Sequence, residues 1–194
     1  QKNIRLILRK LKFPLAMPSA NISARVSPVC AIDVYDEFKE KLNFILDGGK
    51  SKIGIESTVI DLTGKPVVLR PGIIEPSKIQ KILNFKVKRI SKVSKIISPG
   101  LFKKHYSPGI PLLINQNKPD KNSAFIYLGK KYKNKGRFFC LSKKSNLNEA
   151  AANLYMTLRK IKKLRYKKIL IERIPNRGAG LAINDRIKKA AYTK

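Results

Sequence analysis

The stretch at residues 53–70, IGIESTVIDLTGKPVVLR, carries the clearest structural signal in the sequence. Two runs rich in β-branched residues flank TGKP, and a turn containing Gly and Pro between such runs predicts a β-hairpin. We expect its second strand to end at Arg70, where Pro71 and Gly72 make a turn. The following EPSKIQKIL predicts a short helix, so this part of the chain combines a hairpin with a helix.

The residues before the hairpin predict two further helices. IRLILRKL at 4–11 places its aliphatic side chains on one helical face, ahead of a proline that cannot continue the helix. PLAMPSAN is expected to be a strand or extended segment that runs into a polar turn. Ser27 and Pro28 are typical of a helix start, and the helical pattern continues to about Leu42. NFIL then predicts a short strand.

The pattern changes after Ile110, where strands and helices alternate. IPLLIN, SAFIYLG and RFFCLS predict three short strands, and residues 147–164 have aliphatic side chains at helical spacing. KKILIERIP predicts another strand, and GAGLAINDRIKKAA predicts a helix that begins at glycine. Such alternation predicts a small parallel or mixed α/β domain, so the fold class we expect is α/β throughout.

Composition limits the possible partners and compartments. The 43 Lys and Arg against 12 Asp and Glu give a net charge of +31, which favours polyanions as partners. An AT-rich genome that places lysine on solvated faces would produce the same charge. Cys30 and Cys140 are too isolated for a zinc site and fit a reducing cytoplasm, where we expect the protein to reside. No run approaches the length of a membrane span.

Polar groups interrupt apolar segments at two places. Ser19 and Asn21 stand in a tight turn after PLAM, where hydroxyl, amide and backbone N–H groups could hold phosphate oxygens or simply make the turn. Glu56 and Ser57 lie within the otherwise apolar first strand of the predicted hairpin. Buried polar groups must find partners or face a ligand, so this pair is a candidate for binding.

Three further residues have suitable chemistry for an anionic substrate. Arg70, at a predicted strand end, could bind phosphate or carboxylate, or could form a surface ion pair. His105, the only histidine, stands beside Tyr106 between two Ser-Pro pairs in a stretch without periodicity. These two side chains could transfer protons, stack or contact phosphate, or could be ordinary solvated or packed groups.

Four motifs occur in order: PLAMPSANISARVSP, ILDGGKSKIGIESTVIDLTGKPVVLRPG, SPGLFKKHYSP and GLAINDRIKKAA. Together they resemble the Sua5 family, the two-domain form of the YrdC-like threonylcarbamoyl-AMP synthases. The resemblance implies the C-terminal portion of a YrdC-like twisted-sheet domain at 1–84, a linker with the HYxP motif at 85–110, and a small Rossmann-like Sua5 domain at 111–194.

The resemblance also implies a reaction. L-threonine, bicarbonate and ATP would give threonylcarbamoyl-AMP and pyrophosphate, with Mg²⁺ accompanying the nucleotide. Other proteins would then transfer the threonylcarbamoyl group to an adenosine of tRNA. Adenylation of a carbamate needs positioning and charge neutralisation more than a protein nucleophile, and we assign no catalytic nucleophile or base.

Site residues follow from the resemblance by position. Ser57 matches a position that faces the threonine, and the HYxP linker is expected to fold over the cavity as a lid that excludes water. The residues that match nucleotide-contacting or cavity-covering positions are Ser19, Asn21, Arg70, His105 and Tyr106. No metal-binding residue is predicted.

One departure from the family bears on activity. The family's KxR element, whose Lys and Arg bind the triphosphate, lies in an N-terminal half that these 194 residues do not include. We therefore expect a portion of a longer protein that binds ATP poorly and turns over little by itself. The alternatives are a basic RNA-binding module and an inactive fragment. A hydrogenase-maturation carbamoyltransferase is disfavoured because that family lacks the linker and GLAINDRIKKAA.

Overall fold

The computed structural model describes residues 1–89, 105–132 and 136–191. Its first part contains α1 (Lys2–Lys10), α2 (Ala31–Phe38), a 3₁₀ helix (Lys39–Lys41), β1 (Val59–Asp61), β2 (Val67–Arg70), α3 (Pro76–Leu83) and β3 (Lys88–Arg89). The strands form a sheet in the order β1-β2-β3, with β1 antiparallel and β3 parallel to β2. Val68, Ile79 and Val87 form a small core beneath this sheet.

The second part is a parallel α/β unit. It contains β4 (Leu112–Leu113), β5 (Ala124–Leu128), β6 (Phe138–Ser142), α4 (Leu147–Lys163), β7 (Ile169–Ile171) and α5 (Ala179–Ala190). The strand order is β4-β7-β5-β6, and every pairing is parallel. Residues of β5 are buried on both faces, as expected for a central strand of a parallel sheet. The predicted strands and helices of this part are confirmed.

The predicted helix at Ser27 and Pro28 begins later than expected. The structure starts α2 at Ala31, because Ser27 turns its hydroxyl to Glu56 instead of capping a helix. The carboxylate of Asp33 accepts a hydrogen bond from the Val29 N–H over 2.9 Å, which holds the chain just before the helix.

One predicted strand is wrong, and another element is shorter than predicted. Residues 43–46, NFIL, form no strand. PLAMPSAN, predicted as a strand or an extended segment, is extended without regular structure and runs into the predicted polar turn, where the Asn21 N–H donates to the Ser19 carbonyl over 2.9 Å. The hairpin is confirmed only from Val59 onward. Residues 53–58 are irregular because Gly54 has a φ of +74° and the Glu56 carboxylate bonds to groups outside the sheet.

The two parts of the chain share one hydrophobic core. Val26 and Val29 pack in the same buried cluster as Leu154 of α4 and Ile183 of α5. A parallel bridge joins residues 24–26 to the end of the predicted linker, where the Val26 N–H donates to the carbonyl of Ser107 over 3.2 Å. Residues 90–104 of that predicted linker, which includes most of SPGLFKKHYSP, lie outside the described residues.

Arg159 of α4 adds a polar clamp between the parts. It donates to the carbonyls of Val26 over 2.5 Å and Asp33 over 3.4 Å, and its Nη1 lies 3.2 Å from the carboxylate of Glu37. The Glu37 side chain is only 6% exposed and also pairs with Arg25. The helix α4 is therefore tied to α2 and to the segment before it.

Candidate functional site

Glu56 lies where the two parts meet and accepts three side-chain hydrogen bonds. The Ser27 hydroxyl donates to Oε1 over 2.7 Å, and the Tyr155 hydroxyl donates to Oε2 over 2.8 Å. The Arg186 Nε–H donates to the same Oε2 over 2.9 Å, which makes a charged pair. The donors come from the segment before α2, from α4 and from α5. This carboxylate is fixed in place because charge-assisted hydrogen bonds hold both of its oxygens.

Arg186 connects more of the site than any other described residue. Its side chain is 0% exposed. Nη1 donates to the carbonyl of Pro71 over 2.8 Å and to Asp185 over 3.0 Å, and Nη2 donates to the backbone carbonyl of Glu56 over 3.4 Å. The guanidinium carbon lies 5.2 Å from the centre of the Tyr106 ring, within cation–π range.

His105 and Tyr106 pack against the same cluster. Their ring centres are 4.0 Å apart, and the Tyr106 ring stacks on Tyr155 at 5.7 Å with an interplanar angle of 21°. Tyr106 is fully buried and has a φ of +61°, a left-handed conformation that costs about 1–3 kcal/mol. Such a conformation persists only where the surroundings fix it, so the His-Tyr pair is held by α4 and α5.

The electrostatics of the cluster set the charge of each group. Burial opposes ionisation of Glu56, but the Arg186 charge and the hydrogen bonds outweigh it, so the pKa of Glu56 is lowered. Burial lowers the pKa of His105; Glu56 opposes this shift, and the charges of Lys189, Arg186 and Arg70 add to it. Burial raises the pKa of Tyr106 and of Tyr155. At neutral pH the cluster therefore holds an ion pair, a neutral imidazole and two neutral phenols.

An open cleft of about 400 Å³ lies beside Glu56. Its walls come from both parts of the chain, with Ser19 at one side and Tyr155 of α4 at another. The lining residues are Ser19, Ser27, Pro28, Val29, Ser51, Gly54, Ile55, Glu56 and Tyr155. The lining combines hydroxyl groups and a single carboxylate with apolar side chains.

Three predicted ligand residues carry buried polar atoms without a hydrogen-bond partner. These atoms are Asn21 Oδ1, His105 Nδ1 and the Tyr106 hydroxyl. The Asn21 amide nitrogen is fixed by bonds to the carbonyls of Ile22 and Arg25, at 2.9 and 3.3 Å. Buried polar atoms are nearly always satisfied in folded proteins, so these three are suited to a polar ligand.

Arg70 and Ser57 are close together in the structure. The Arg70 Nε–H donates to the Ser57 carbonyl over 3.1 Å, and the Ser57 side chain is exposed. Among the described residues Arg70 forms no salt bridge, so the surface ion pair considered from the sequence is not observed. Its guanidinium keeps donors for a ligand while its charge acts on both His105 and Tyr106.

The structure brings four of the six predicted residues near the Glu56 ion pair: Tyr106 lies against Arg186, His105 against Tyr106, Ser57 next to Glu56 in the chain, and Arg70 against the Ser57 carbonyl. Of the six, only Ser19 lines the cleft, and Asn21 lies in the turn two residues further. Glu56, a candidate for binding together with Ser57 on the sequence alone, instead bonds to donors of the protein itself.

Tyr155 and Arg186 were missed, although both had a sequence signal. Each lies on the buried face of a helix, and Arg186 falls at helical spacing among Ala179, Ala182 and Ala190. A charged residue on an apolar helix face must be paired when buried, and that rule would have identified Arg186.

No metal site is built into the described part of the chain. It contains no group of three or more His, Cys, Asp or Glu side chains able to hold a metal ion. A Mg²⁺ ion carried by nucleotide phosphates needs no such cluster, since one or two carboxylates and the phosphates suffice to bind it. No described helix has the length and apolar character needed to cross a bilayer.

These features define a two-part α/β protein with a polar cleft at the junction of the parts. The family described as threonylcarbamoyl-AMP synthase, C-terminal domain, matches residues 74–192, and the Sua5–YciO–YrdC family, described as telomere recombination, matches residues 1–72. The chain belongs to the Sua5 family of threonylcarbamoyl-AMP synthases. The α/β fold class expected from the resemblance, with YrdC-like and Sua5 parts, is confirmed.

Relatives named threonylcarbamoyl-AMP synthase match nearly the whole chain. The protein of Pyrococcus abyssi is 34% identical over 92% of this chain and 58% of its own length, and that of Bacillus subtilis is 32% identical over 95% and 59%. The chain therefore spans little more than half of each of these relatives.

Two solved structures share the fold. Sua5 of P. abyssi complexed with L-threonine has a TM-score of 0.78 and 32% identity, over 90% of this chain and 56% of that one. A variant of the same protein, in which a histidine and the adjacent tyrosine are replaced by alanine, has a TM-score of 0.75 and 31% identity over the same shares.

Proposed function

We propose that this chain forms part of an L-threonylcarbamoyladenylate synthase, a nucleotidyltransferase that acts on L-threonine, bicarbonate and ATP. The observation that carries the proposal is the match of both parts of the chain to one enzyme family, which includes a relative solved with L-threonine. The polar cleft where the two parts meet supports it.

The reaction has two steps. The threonine amine and bicarbonate give a carbamate and water, and a carbamate oxygen then forms a bond to the α-phosphorus of ATP. The bond between that phosphorus and the bridging oxygen breaks, and pyrophosphate leaves with the electron pair. Any Mg²⁺ would arrive on the phosphates of the nucleotide, since the described residues offer no cluster for it.

The residue roles are carried over from the family resemblance, and the contacts of these residues support them. Arg70 supplies a positive charge for phosphate oxygens. The exposed hydroxyl of Ser57, whose carbonyl accepts a hydrogen bond from Arg70, contacts the threonine. His105 is neutral at pH 7, so it contributes a hydrogen bond and not a charge. Tyr106 and Asn21 offer their unpartnered polar atoms, and Ser19 offers its hydroxyl from the lining of the cleft. The His-Tyr segment covers the site and keeps water from the adenylate.

The product, threonylcarbamoyl-AMP, is proposed to pass to proteins that transfer the threonylcarbamoyl group to tRNA in the cytoplasm. A mixed anhydride of this kind hydrolyses readily, which favours direct use near its site of synthesis.

The test measures pyrophosphate release by the protein as its gene encodes it, with omission of threonine or bicarbonate as controls. We expect release only with both present, and threonylcarbamoyl-AMP in the product by mass spectrometry. Ser57→Ala should raise the threonine KM by about tenfold, the loss of one hydrogen bond, whereas Ser77→Ala on the exposed face of α3 should not change it. Pyrophosphate release that does not depend on threonine would overturn the proposal.

The 194-residue chain by itself forms a second arm of this test. We propose that it binds ATP weakly and releases little pyrophosphate, because the triphosphate-binding KxR element of the family is not among its residues. Full activity of these residues alone would contradict that expectation and leave the reaction itself unchallenged.

A further inference from the structure

We infer that Arg186 is a positioning residue of the synthase: from α5 it holds three separate segments that carry the predicted substrate ligands. The inference rests on the proposed function, and it assigns the C-terminal part of the chain a direct share in building the site. The hydrogen bonds of Arg186 go to Glu56, Pro71 and Asp185, none of which is a predicted ligand, and it meets the predicted ligand Tyr106 only through the face of its guanidinium. It therefore acts through its neighbours.

The three segments are held by different atoms of one guanidinium. Nε and Nη2 bond the side chain and the backbone carbonyl of Glu56, at 2.9 and 3.4 Å. Nη1 bonds the carbonyl of Pro71 at 2.8 Å. The face of the guanidinium lies 5.2 Å from the centre of the Tyr106 ring. A planar group with five N–H donors can make these contacts together, whereas an ammonium group cannot.

The residues that Arg186 contacts are sequence neighbours of predicted ligands. Glu56 precedes Ser57, and Pro71 follows Arg70. Tyr106, itself a predicted ligand, follows His105. If Glu56, Pro71 or Tyr106 moves, the adjacent residue in the chain moves with it, because a single planar and rigid peptide unit joins the two. Arg186 therefore sets the spacing between the threonine-side hydroxyl, the phosphate-side cation and the His-Tyr pair.

Burial distinguishes this arrangement from an ordinary surface ion pair. The Arg186 side chain is 0% exposed and its Glu56 partner only 17% exposed. The partners lie 130 positions apart, so the contact forms only when α5 docks on the first part of the chain. Tyr155 of α4 bonds the same Glu56 oxygen at 2.8 Å and stacks on Tyr106. The contacts of Tyr155 and Arg186 thus converge on Glu56, next to the predicted ligand Ser57, and on the predicted ligand Tyr106.

The test compares Arg186→Lys and Tyr155→Phe with the wild-type protein as its gene encodes it. The assay is threonine- and bicarbonate-dependent pyrophosphate release, with kcat and both KM values measured at a temperature at which every variant is folded by circular dichroism. Ile171→Val in β7 is the control for lost core packing, since it removes one buried methylene and leaves every hydrogen bond to Glu56 in place.

We expect Arg186→Lys to raise the KM values for ATP and threonine together and to lower kcat/KM by about 100-fold, the loss that a misplacement of about 1 Å can produce. Tyr155→Phe should have a smaller effect of the same kind, because Glu56 keeps its bonds to Ser27 and Arg186. The control should keep both KM values. A merely structural role predicts that Arg186→Lys behaves as Ile171→Val does, with lower stability and unchanged KM values.

The outcomes separate this inference from the proposed function. Absence of threonine-dependent pyrophosphate release in the wild-type protein contradicts the function itself. An active wild-type protein with unchanged KM values in folded Arg186→Lys overturns the positioning role alone. If Arg186→Lys does not fold, Tyr155→Phe decides: unchanged KM values in that variant contradict the convergence of α4 and α5 on the site.

Discussion

Gly54 provides a direct test of how tightly the two parts of the chain are packed. It begins the irregular segment that leads to Glu56, and its φ is +74°. A Cβ added there would lie 2.5 Å from the carbonyl oxygen and 2.6 Å from the Cα of Ala152 on α4. These are backbone atoms of a helix, so no side-chain rotation can relieve the overlap.

The expected cost of Gly54→Ala has two components. The left-handed backbone conformation is unfavourable for alanine by about 1–2 kcal/mol. Forced overpacking in a close contact adds about 1–3 kcal/mol, because α4 must move away from the segment. The sum is about 2–5 kcal/mol of lost unfolding free energy, a large part of the total for a domain of this size.

Gly49 is a matched control for the backbone component. Its φ is +78°, and a Cβ added there meets no atom within 4 Å. Gly49→Ala should therefore show only the loss of about 1–2 kcal/mol that the conformation imposes. The difference between the two variants isolates the contact between residues of the first part and α4.

Urea denaturation followed by far-UV circular dichroism measures both variants. We expect the midpoint of Gly54→Ala to fall well below that of Gly49→Ala, and its pyrophosphate release to fall with it. Equal midpoints for the two variants would refute the close approach of Gly54 to α4, and with it the packing that places Glu56 beside Tyr155.

Three other perturbations follow from the same contacts. The folded-state pKa of His105 lies below its ordinary 6.5 and that of Glu56 lies below 4.5, so the folded protein binds fewer protons than the unfolded chain. Thermal melts should therefore show a loss of stability as the pH falls below about 6.5 and a second loss below about 4.5. His105→Gln should remove the first loss. Arg159→Met should lower the unfolding free energy measured by urea denaturation by about 3 kcal/mol, because Glu37 and the Val26 carbonyl lose their buried donor. Arg173→Met on the surface should change it by less than about 0.5 kcal/mol. Equal effects of the two variants would contradict the contact of Arg159 with both parts of the chain. Asn146→Ala should cost about 1 kcal/mol, because its side chain accepts hydrogen bonds from two N–H groups at the start of α4, and an unchanged melting temperature would argue against this cap.

The C-terminal part was predictable from its sequence because local pattern and tertiary role agree there. The residues of β5 and β7 are apolar throughout, as a strand covered on both faces requires, and α4 has an asparagine cap and one apolar face. The NFIL segment failed for the opposite reason: its β propensity is high, but the structure pairs it with no described strand. Propensity in short apolar runs decides little without a neighbour to pair with.

Only part of the site was predictable, and burial does not separate that part from the rest, because the predicted Tyr106 is as fully buried as the missed Arg186. Ser57, Arg70 and His105 stand out as polar residues in turns or at strand ends, and the resemblance gave each a role. Tyr155 and Arg186 lie inside helices whose spacing predicts a core, so nothing local indicates that they face Glu56. Contacts between positions 99 and 130 residues apart depend on the docking of the two parts, which no short pattern contains.

The pairing of Glu56 with Arg186 makes the docking of the two parts specific. A buried ion pair contributes little net stability compared with apolar packing, but a buried charge without its partner costs about 3–5 kcal/mol, so wrong arrangements of the parts are penalised. Tyr106 lies against both Tyr155 and Arg186, so the His-Tyr segment reaches its place only when α4 and α5 are docked. The packing of Tyr106 therefore depends on the docking of α4 and α5. A ligand bound by Ser57, Arg70 and His105 together would favour the docked state, and it would stabilise the contact between the parts by its differential affinity for that state.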